Sequence, residues 1–464
     1  MKTLQNALND YPVDRLIWSR QWKRLLLTVL ILFVSVTYPE DSKSFVITHI
    51  LIPMDKGQSN HLKAYGVTIY ALSLGYKGEW LLNYRGGSFL LPSKESIKEK
   101  ASLMNVTYEA VNNEDIQRIY QTIERSNMSR IELLKMPKIA VYTPPGKEPW
   151  DDAVTLVMAY AEIPYDKVWD PEVFNGDLRK YDWLHLHHED FTGQFGKFFS
   201  YKRADWYVKR MIVARKLAEK AGFKSVQGFK GFIAEKIRAY VKGGGYLFAM
   251  CSATDTIDIA LSANGIRSDT GYLSHRDMIK QVNSHMVDII ESPIDGTPVD
   301  ADYQKKLDFK KTFAFQNFTL YTQYDKYEHS SIDVDIQKEG LETPDTFQLF
   351  EFSAKIDPIP TMLNQNHVSV VKGFLGQTTG FYRKYVKPGI TVLGETRRTN
   401  RIKYIHGSIG RGTFTFYAGH DPEDYKHTLG EPPTNLSLYP NSPGYRLILN
   451  NILFPSAKKQ KQKT

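Results

Sequence analysis

Three short runs of this chain hold residue types that do chemistry. The first is Gly243-Gly244-Gly245-Tyr246-Leu247-Phe248-Ala249-Met250-Cys251-Ser252-Ala253-Thr254, an apolar strand pattern that ends on the one cysteine of the chain and passes straight into helix-forming residues. A thiol on so sharp a strand-to-helix turn stands proud of its sheet, and the helix N-terminus beneath it favours the thiolate. The second is Phe414-Thr415-Phe416-Tyr417-Ala418-Gly419-His420-Asp421-Pro422-Glu423, a late strand closed by a histidine and carboxylates. His420 there suits a general base, and Asp421 or Glu423 suits the acid that orients it. The third, His185-Leu186-His187-His188-Glu189-Asp190, follows another strand and places His187, His188, Glu189 and Asp190 as cleft-lining residues.

Each run also has a plainer reading, and both stay open here. Cys251 equally suits a small buried core residue, and His420 a structural imidazole paired with Asp421. All four residues of the histidine run are metal-ligand types. On a strand, however, His185 and His187 face one way and His188 the other, so the run alone does not converge on an ion. The expectation is therefore no metal and no cofactor. His61 and Tyr65, four apart on a helix, fit a cleft or a packing face; Asn83 to Ser88 fits a hairpin turn, since a phosphate loop would need a Gly-Lys-Ser/Thr ending and a following helix.

The elements that must position these groups alternate. From Lys138, KIAVYT reads as a buried strand, Asp151-Asp152 start a helix whose apolar residues Val154, Val157, Met158 and Ala161 recur at helical spacing, and Pro164 stops it. YDWLHLHH and YLFAMC are further strands, separated by a long helical region with the face Ile233, Ile237, Tyr240 and Val241. Strand, helix, strand predicts right-handed crossovers and a flavodoxin-like, doubly wound parallel α/β sheet with ligands at the strands' carboxyl ends.

The domain boundaries follow from shifts in pattern. Residues 1–42 read as a signal sequence or short N-terminal anchor, and 44–137 as a small α/β domain ending in a charged helix from about Glu114 to Leu134. Residues 138–273 form the first part of the main α/β domain, and 274–400 a β-rich insertion expected to wall the sheet's carboxyl edge. Residues 401–455 supply its last strands and helix, and 456–464 a basic disordered tail.

Once the three runs are set on these elements, the chain resembles the class I glutamine amidotransferase superfamily. The cysteine-then-histidine-then-acid order matches over roughly residues 138 to 270 and 400 to 455, with Ala249 and Ala253 where the family pattern Gly-x-Cys-x-Gly has glycines. The closing GRGTFTFYAGHDP and YRLILNNILF are similar to the trehalose-utilisation (ThuA-like) branch. The resemblance implies Cys251 as nucleophile, His420 as base, Asp421 or Glu423 as its partner, and an oxyanion hole from the N–H groups of Ser252 and Gly193. It implies a Cys-dependent hydrolase of a carboxamide or acyl substrate; the alternative is a non-catalytic envelope protein that binds a glycan or peptide in the same cleft. Exported proteins of this appearance also carry an asparagine synthetase B label, which the residues do not support. Both a catalytic cysteine at the mature N-terminus and a Ser-Gly-Gly-x-Asp-Ser loop are missing from the sequence.

Composition bounds the partners. The 464 residues, 42% hydrophobic, suffice for real cores. The net charge of +9 comes largely from Arg15, Arg20, Lys23 and Arg24 at one end and Lys458, Lys459, Lys461 and Lys463 at the other, so a nucleic-acid face is not expected. Trp22-Lys23-Arg24 before an apolar run over 25–36, then Pro39, predicts export to the periplasm or cell envelope, with cleavage and membrane association through 25–36 both open. One cysteine cannot form an internal disulfide, so stability must come from cores. The expected ligand is a small molecule, glycan or peptide.

Overall fold

A computed structural model describes residues 46–146, 151–193, 203–263, 305–318, 352–357, 359–363, 380–396, 402–419, 421–424 and 431–459, with short stretches between 296 and 374. The signal or anchor segment 1–42 and most of the tail 456–464 lie outside the described residues, and everything below belongs to the unit from Ile47 onward. Among the described residues no helix is long and apolar enough to cross a membrane.

The first 90 or so described residues build an antiparallel sheet of β1 (Ile47–Ile52), β2 (Gly78–Leu82), β3 (Ser88–Pro92), β4 (Glu109–Asn112) and β5 (Ser129–Leu133), in the order β4-β1-β3-β2-β5. Helices α1 (His61–Ser73), α2 (Glu95–Leu103) and α3 (Asn113–Arg125) connect its strands. The charged segment expected to be helical as far as Leu134 is α3 only to Arg125; beyond it, Ile131 and Leu133 are buried while Arg130 and Glu132 are exposed, a period of two that belongs to strand β5. Residues Asn83 to Ser88 form the turn between β2 and β3, which pair as a hairpin.

The second sheet has nine strands. Its parallel part comprises β6 (Ile139–Tyr142), β7 (Asp166–Val168), β8 (Trp183–Leu186), β9 (Tyr246–Met250) and, late in the chain, β16 (Gly412–Tyr417), lying in the order β7-β6-β8-β9-β16. The connections carry α4 (Ala153–Tyr160), α5 (Asp170–Phe174), α6 (Asp205–Lys220), α7 (Val226–Lys242) and α8 (Ala253–Ser262). Every residue of β6, β8 and β9 is buried, because helices cover both faces. Side chains alternate accordingly: Trp183, Tyr246 and Phe248 join the core with α1, α4 and α9 (Pro443–Leu453), and Leu184, Leu186 and Leu247 join the core with α7 and α8.

The region expected as a wall over the carboxyl edge does something else where it is described. Apart from the small pair β10 (Gly296–Pro298) and β11 (Tyr321–Gln323), its strands β12 (Asp345–Leu349), β13 (Val370–Phe374) and β14 (Thr391–Glu395) extend the main sheet sideways. They add antiparallel to β15 (Ile402–Ile409), itself antiparallel to β16. Without them β15 would leave a long row of unpaired backbone groups at the sheet edge, and that demand places them laterally.

The two sheets share a core through α1. Tyr65 donates its hydroxyl hydrogen to Asn450 of α9 at 2.6 Å, and Gly66 passes so close to the end of α4 that a Cβ there would stand 1.9 Å from the Ala161 carbonyl oxygen. His61 hydrogen-bonds the Met54 and Asp55 carbonyls at 2.8 and 3.0 Å, so both candidate cleft residues of this helix are packing residues.

Candidate functional site

Cys251 follows the last residue of β9 and takes a left-handed conformation, φ 51°, before α8 begins at Ala253. For a residue with a Cβ this conformation costs of order 1–2 kcal/mol and persists only where neighbours enforce it. They do so here with backbone bonds. The Cys251 N–H donates to the Gly419 carbonyl at 3.1 Å, the Ala253 N–H to the His187 carbonyl at 2.9 Å, and the Thr254 hydroxyl to the Cys251 carbonyl at 2.6 Å. The turn thus closes on alanines 249 and 253, with the positive φ carried by the cysteine itself. Its side chain is fully buried.

The imidazoles placed beside the thiol are those of the β8 run. Ligand-type atoms of His187, His188 and Cys251 all lie within 4.8 Å of one another, and the two rings stack at 3.8 Å between centroids. The base expected from sequence, His420, lies outside the described residues. Its neighbours are placed as helix caps. Asp421 is fully buried and accepts from the Ala153 N–H of α4 at 3.0 Å; burial, with Asp151, Asp424 and Asp152 around it and Cys251 beside it, pushes its carboxyl well above the usual range. Glu423 accepts from the hydroxyl of Ser442, the N-cap of α9, at 2.8 Å.

Among the described residues, a carboxylate that meets two histidines is Asp152, which the sequence marked only as a helix start. Its Oδ1 caps α4, accepting from the Val154 and Thr155 N–H groups at 2.8 and 3.0 Å. Its Oδ2 faces His185 Nε2 at 3.2 Å and His187 Nδ1 at 3.1 Å. Burial opposes ionisation of Asp152, yet the two imidazoles outweigh it and hold the carboxyl well below the usual carboxylate range. His185 is anchored at its other nitrogen by the Phe248 carbonyl, 3.1 Å away, and its ring packs against those of Trp183 and Phe248, which also touch each other.

The two oxyanion-hole candidates differ in their surroundings. Ser252 sits at the N-terminus of α8, next in chain to the thiol, and its buried Oγ makes no hydrogen bond among the described residues. Gly193 spends its N–H on the Asp190 carbonyl at 3.3 Å, and with φ 67° it packs where a Cβ would meet the Gln227 backbone at 2.9 Å.

A cavity of about 60 Å³ opens beside His188, Glu189, Asp190 and Gly193, walled by Trp169, Trp206 and Tyr207. Its floor is a buried charge network. Arg210 meets Glu189 at 2.9 Å; Lys230 meets Asp170 at 2.9 Å and Glu189 at 3.8 Å, and donates to the Tyr142 hydroxyl, which in turn bonds Asp170. Arg210 and Lys230 balance Glu189 and Asp170, and Asp190 adds one further carboxylate, so the cavity presents aromatic walls beside a polar, charged lining.

No family model matches the chain, and no curated protein does. Among solved structures it is similar to two cytoplasmic proteins of Salmonella typhimurium. The one from strain LT2 is 12% identical and covers 69% of this chain and 100% of its own at a TM-score of 0.32; the other is 11% identical, covering 70% and 100%, at 0.31. A β-galactosidase of Bacillus circulans sp. alkalophilus, 11% identical, is matched over 62% of this chain and 29% of its own at 0.26. Likeness at these scores supports no inference about activity.

Proposed function

We propose that the chain is an exported member of the class I glutamine amidotransferase-like (ThuA-like) group, with a flavodoxin-like doubly wound core, acting as a Cys-dependent hydrolase of a carboxamide or acyl substrate. The strand order β7-β6-β8-β9-β16, read in chain order as 2-1-3-4-5, supports the fold assignment. The observation that carries the chemistry is Cys251 at φ 51° on a strand-to-helix turn with two imidazoles beside it. In this reading the thiol gives its proton to the imidazole pair, the sulfur adds to the acyl carbon, and the Ser252 N–H at the start of α8 holds the oxyanion. The imidazolium returns the proton to the leaving amine as the C–N bond breaks, and water then cleaves the thioester. Asp152 orients His187. His420 stays a further candidate base.

Burial of Cys251 and the aromatic residues Trp169, Trp206 and Tyr207 close to the β8 run favour a second reading, a non-catalytic envelope protein that binds a glycan or peptide against them. Iodoacetamide labelling of the native full chain near neutral pH separates the two. A nucleophile labels in the folded state, and His187→Ala and His188→Ala slow it; a binding protein stays unlabelled until denatured.

A further inference from the structure

Three side chains from two elements meet at the carboxyl end of the main sheet; the thiol reading uses two of them, Asp152 and His187, and leaves His185 without a role. Asp152 comes from the loop after β6, and His185 and His187 come from β8 and the residue just beyond it. Residues two apart on a strand share a face, so both rings turn toward α4, whose N-terminal cap is Asp152. We propose that Asp152, His185 and His187 bind one divalent first-row metal ion of the zinc class.

The spacing fits. Oxygen and nitrogen ligands stand about 2.0–2.2 Å from such an ion, so two of them at a tetrahedral angle lie roughly 3.4 Å apart. Asp152 Oδ2 is 3.2 Å from His185 Nε2 and 3.1 Å from His187 Nδ1, and all three ligand atoms fall within 4.8 Å of one another. The same distances would serve plain ion pairs. What distinguishes a ligand set is the outer layer, where metal-binding imidazoles fix their second nitrogen on a carbonyl or carboxylate and ligating carboxylates are themselves hydrogen-bonded. His185 Nδ1 rests on the Phe248 carbonyl at 3.1 Å, and Asp152 Oδ1 is locked by two backbone N–H groups of α4. The carboxylate and one histidine are thus preset by their outer layer. One carboxylate and two imidazoles leave coordination positions open, the pattern of catalytic sites more than of closed structural ones. The site goes beyond the thiol reading and stands whether or not Cys251 is a nucleophile. An ion on His187 Nδ1 leaves His188 as the imidazole next to the sulfur.

The test uses the full chain, stripped with a chelator and dialysed, then titrated with Zn²⁺ by calorimetry and with Co²⁺ by visible absorption. The expected result is one saturable ion per chain, with affinity falling about tenfold or more in His185→Ala and in Asp152→Asn. The asparagine variant keeps an oxygen to cap α4 and so separates ligation from folding, which circular dichroism checks. Cys251→Ser should bind like wild type and cobalt should show no thiolate charge-transfer band. Absence of saturable binding overturns the proposal. So does binding that survives His185→Ala but needs Cys251, which would put the ion on His187, His188 and the thiol. Labelling of metal-free Cys251 is read separately, so failure of one reading does not mask the other.

Discussion

Cys251 donates its backbone N–H to the Gly419 carbonyl at 3.1 Å, which ties the turn that ends β9 to the turn that ends β16. The left-handed cysteine is thereby held by the neighbouring strand, and a comparison of two truncations reads the strain. At an ordinary strand end glycine is less stable than alanine by about 0.5–1 kcal/mol. Here Cys251→Gly should be at least as stable as Cys251→Ala in urea unfolding, because only the alanine retains the penalised conformation. An alanine variant more stable by about 1 kcal/mol would show an unstrained turn.

Lys230 is nearly buried against Asp170, which is fully buried. Removing one partner of such a pair leaves an uncompensated charge and costs about 3–5 kcal/mol, whereas replacing both with apolar residues is often close to neutral. Lys230→Met should therefore lower the unfolding free energy by several kcal/mol, and Lys230→Met with Asp170→Leu should recover most of it. Equal losses in the single and double variants would mean that packing around the methylene stem, and not the charge, is what Lys230 supplies.

How much of this was legible in the sequence depends on the range of the contact. Strands β6, β8, β9 and β16 follow from mostly apolar runs broken by helical spacing, and the position of Cys251 on a strand-to-helix turn follows from its neighbours. Asp152 was visible as a helix start, but its pairing with His185 across 33 residues depends on β6 and β8 being adjacent, which local pattern does not encode. The roles given to Asp421 and Glu423 came from chain order; their further contacts with the N-termini of α4 and α9 are long-range and leave no local signal. Strand β5 was hidden because Arg130 and Glu132 raise the charge of a segment whose burial pattern, not its composition, makes it a strand.

His406 is fully buried on β15 and bonds the Thr415 hydroxyl at 2.8 Å. Burial lowers its pKa from 6.5 to about 3. Above 6.5 the ring is neutral whether the chain is folded or not, so it contributes no pH dependence there. Between 6.5 and about 3 only the unfolded chain takes up the proton, and stability falls as the pH drops. His406→Gln should flatten the acid side of the stability curve. A variant whose loss of stability from pH 6.5 to 4 matches wild type would remove His406 from the account.

Asp258 of α8 gives the opposite slope. Its carboxylate is fully buried and accepts the N–H groups of Phe313, Ala314 and Phe315 at 2.5, 2.8 and 3.1 Å, so it stitches residues 313–315 to the helix behind Cys251. Burial still outweighs those donors and the charge of Lys387, and raises its pKa from 3.8 to about 6. Above 6 both folded and unfolded chains hold the ionised form and the fold carries the full cost, about 3 kcal/mol at 1.36 kcal/mol per pKa unit. As the pH falls from 6 toward 3.8 the folded chain takes up the proton first, and that cost disappears. Asparagine imitates the protonated carboxyl, keeping one oxygen for Ala314 and Phe315 while its amide faces the Phe313 N–H. The expected outcome is that the stability difference between Asp258→Asn and wild type shifts toward wild type as the pH is lowered from 7 to 4, by up to about 3 kcal/mol. Urea unfolding of both proteins at the two pH values measures it. A difference that stays constant, or that moves toward the variant in acid, would mean that Asp258 is ionised in the fold throughout and that its three donors, not its burial, set its titration.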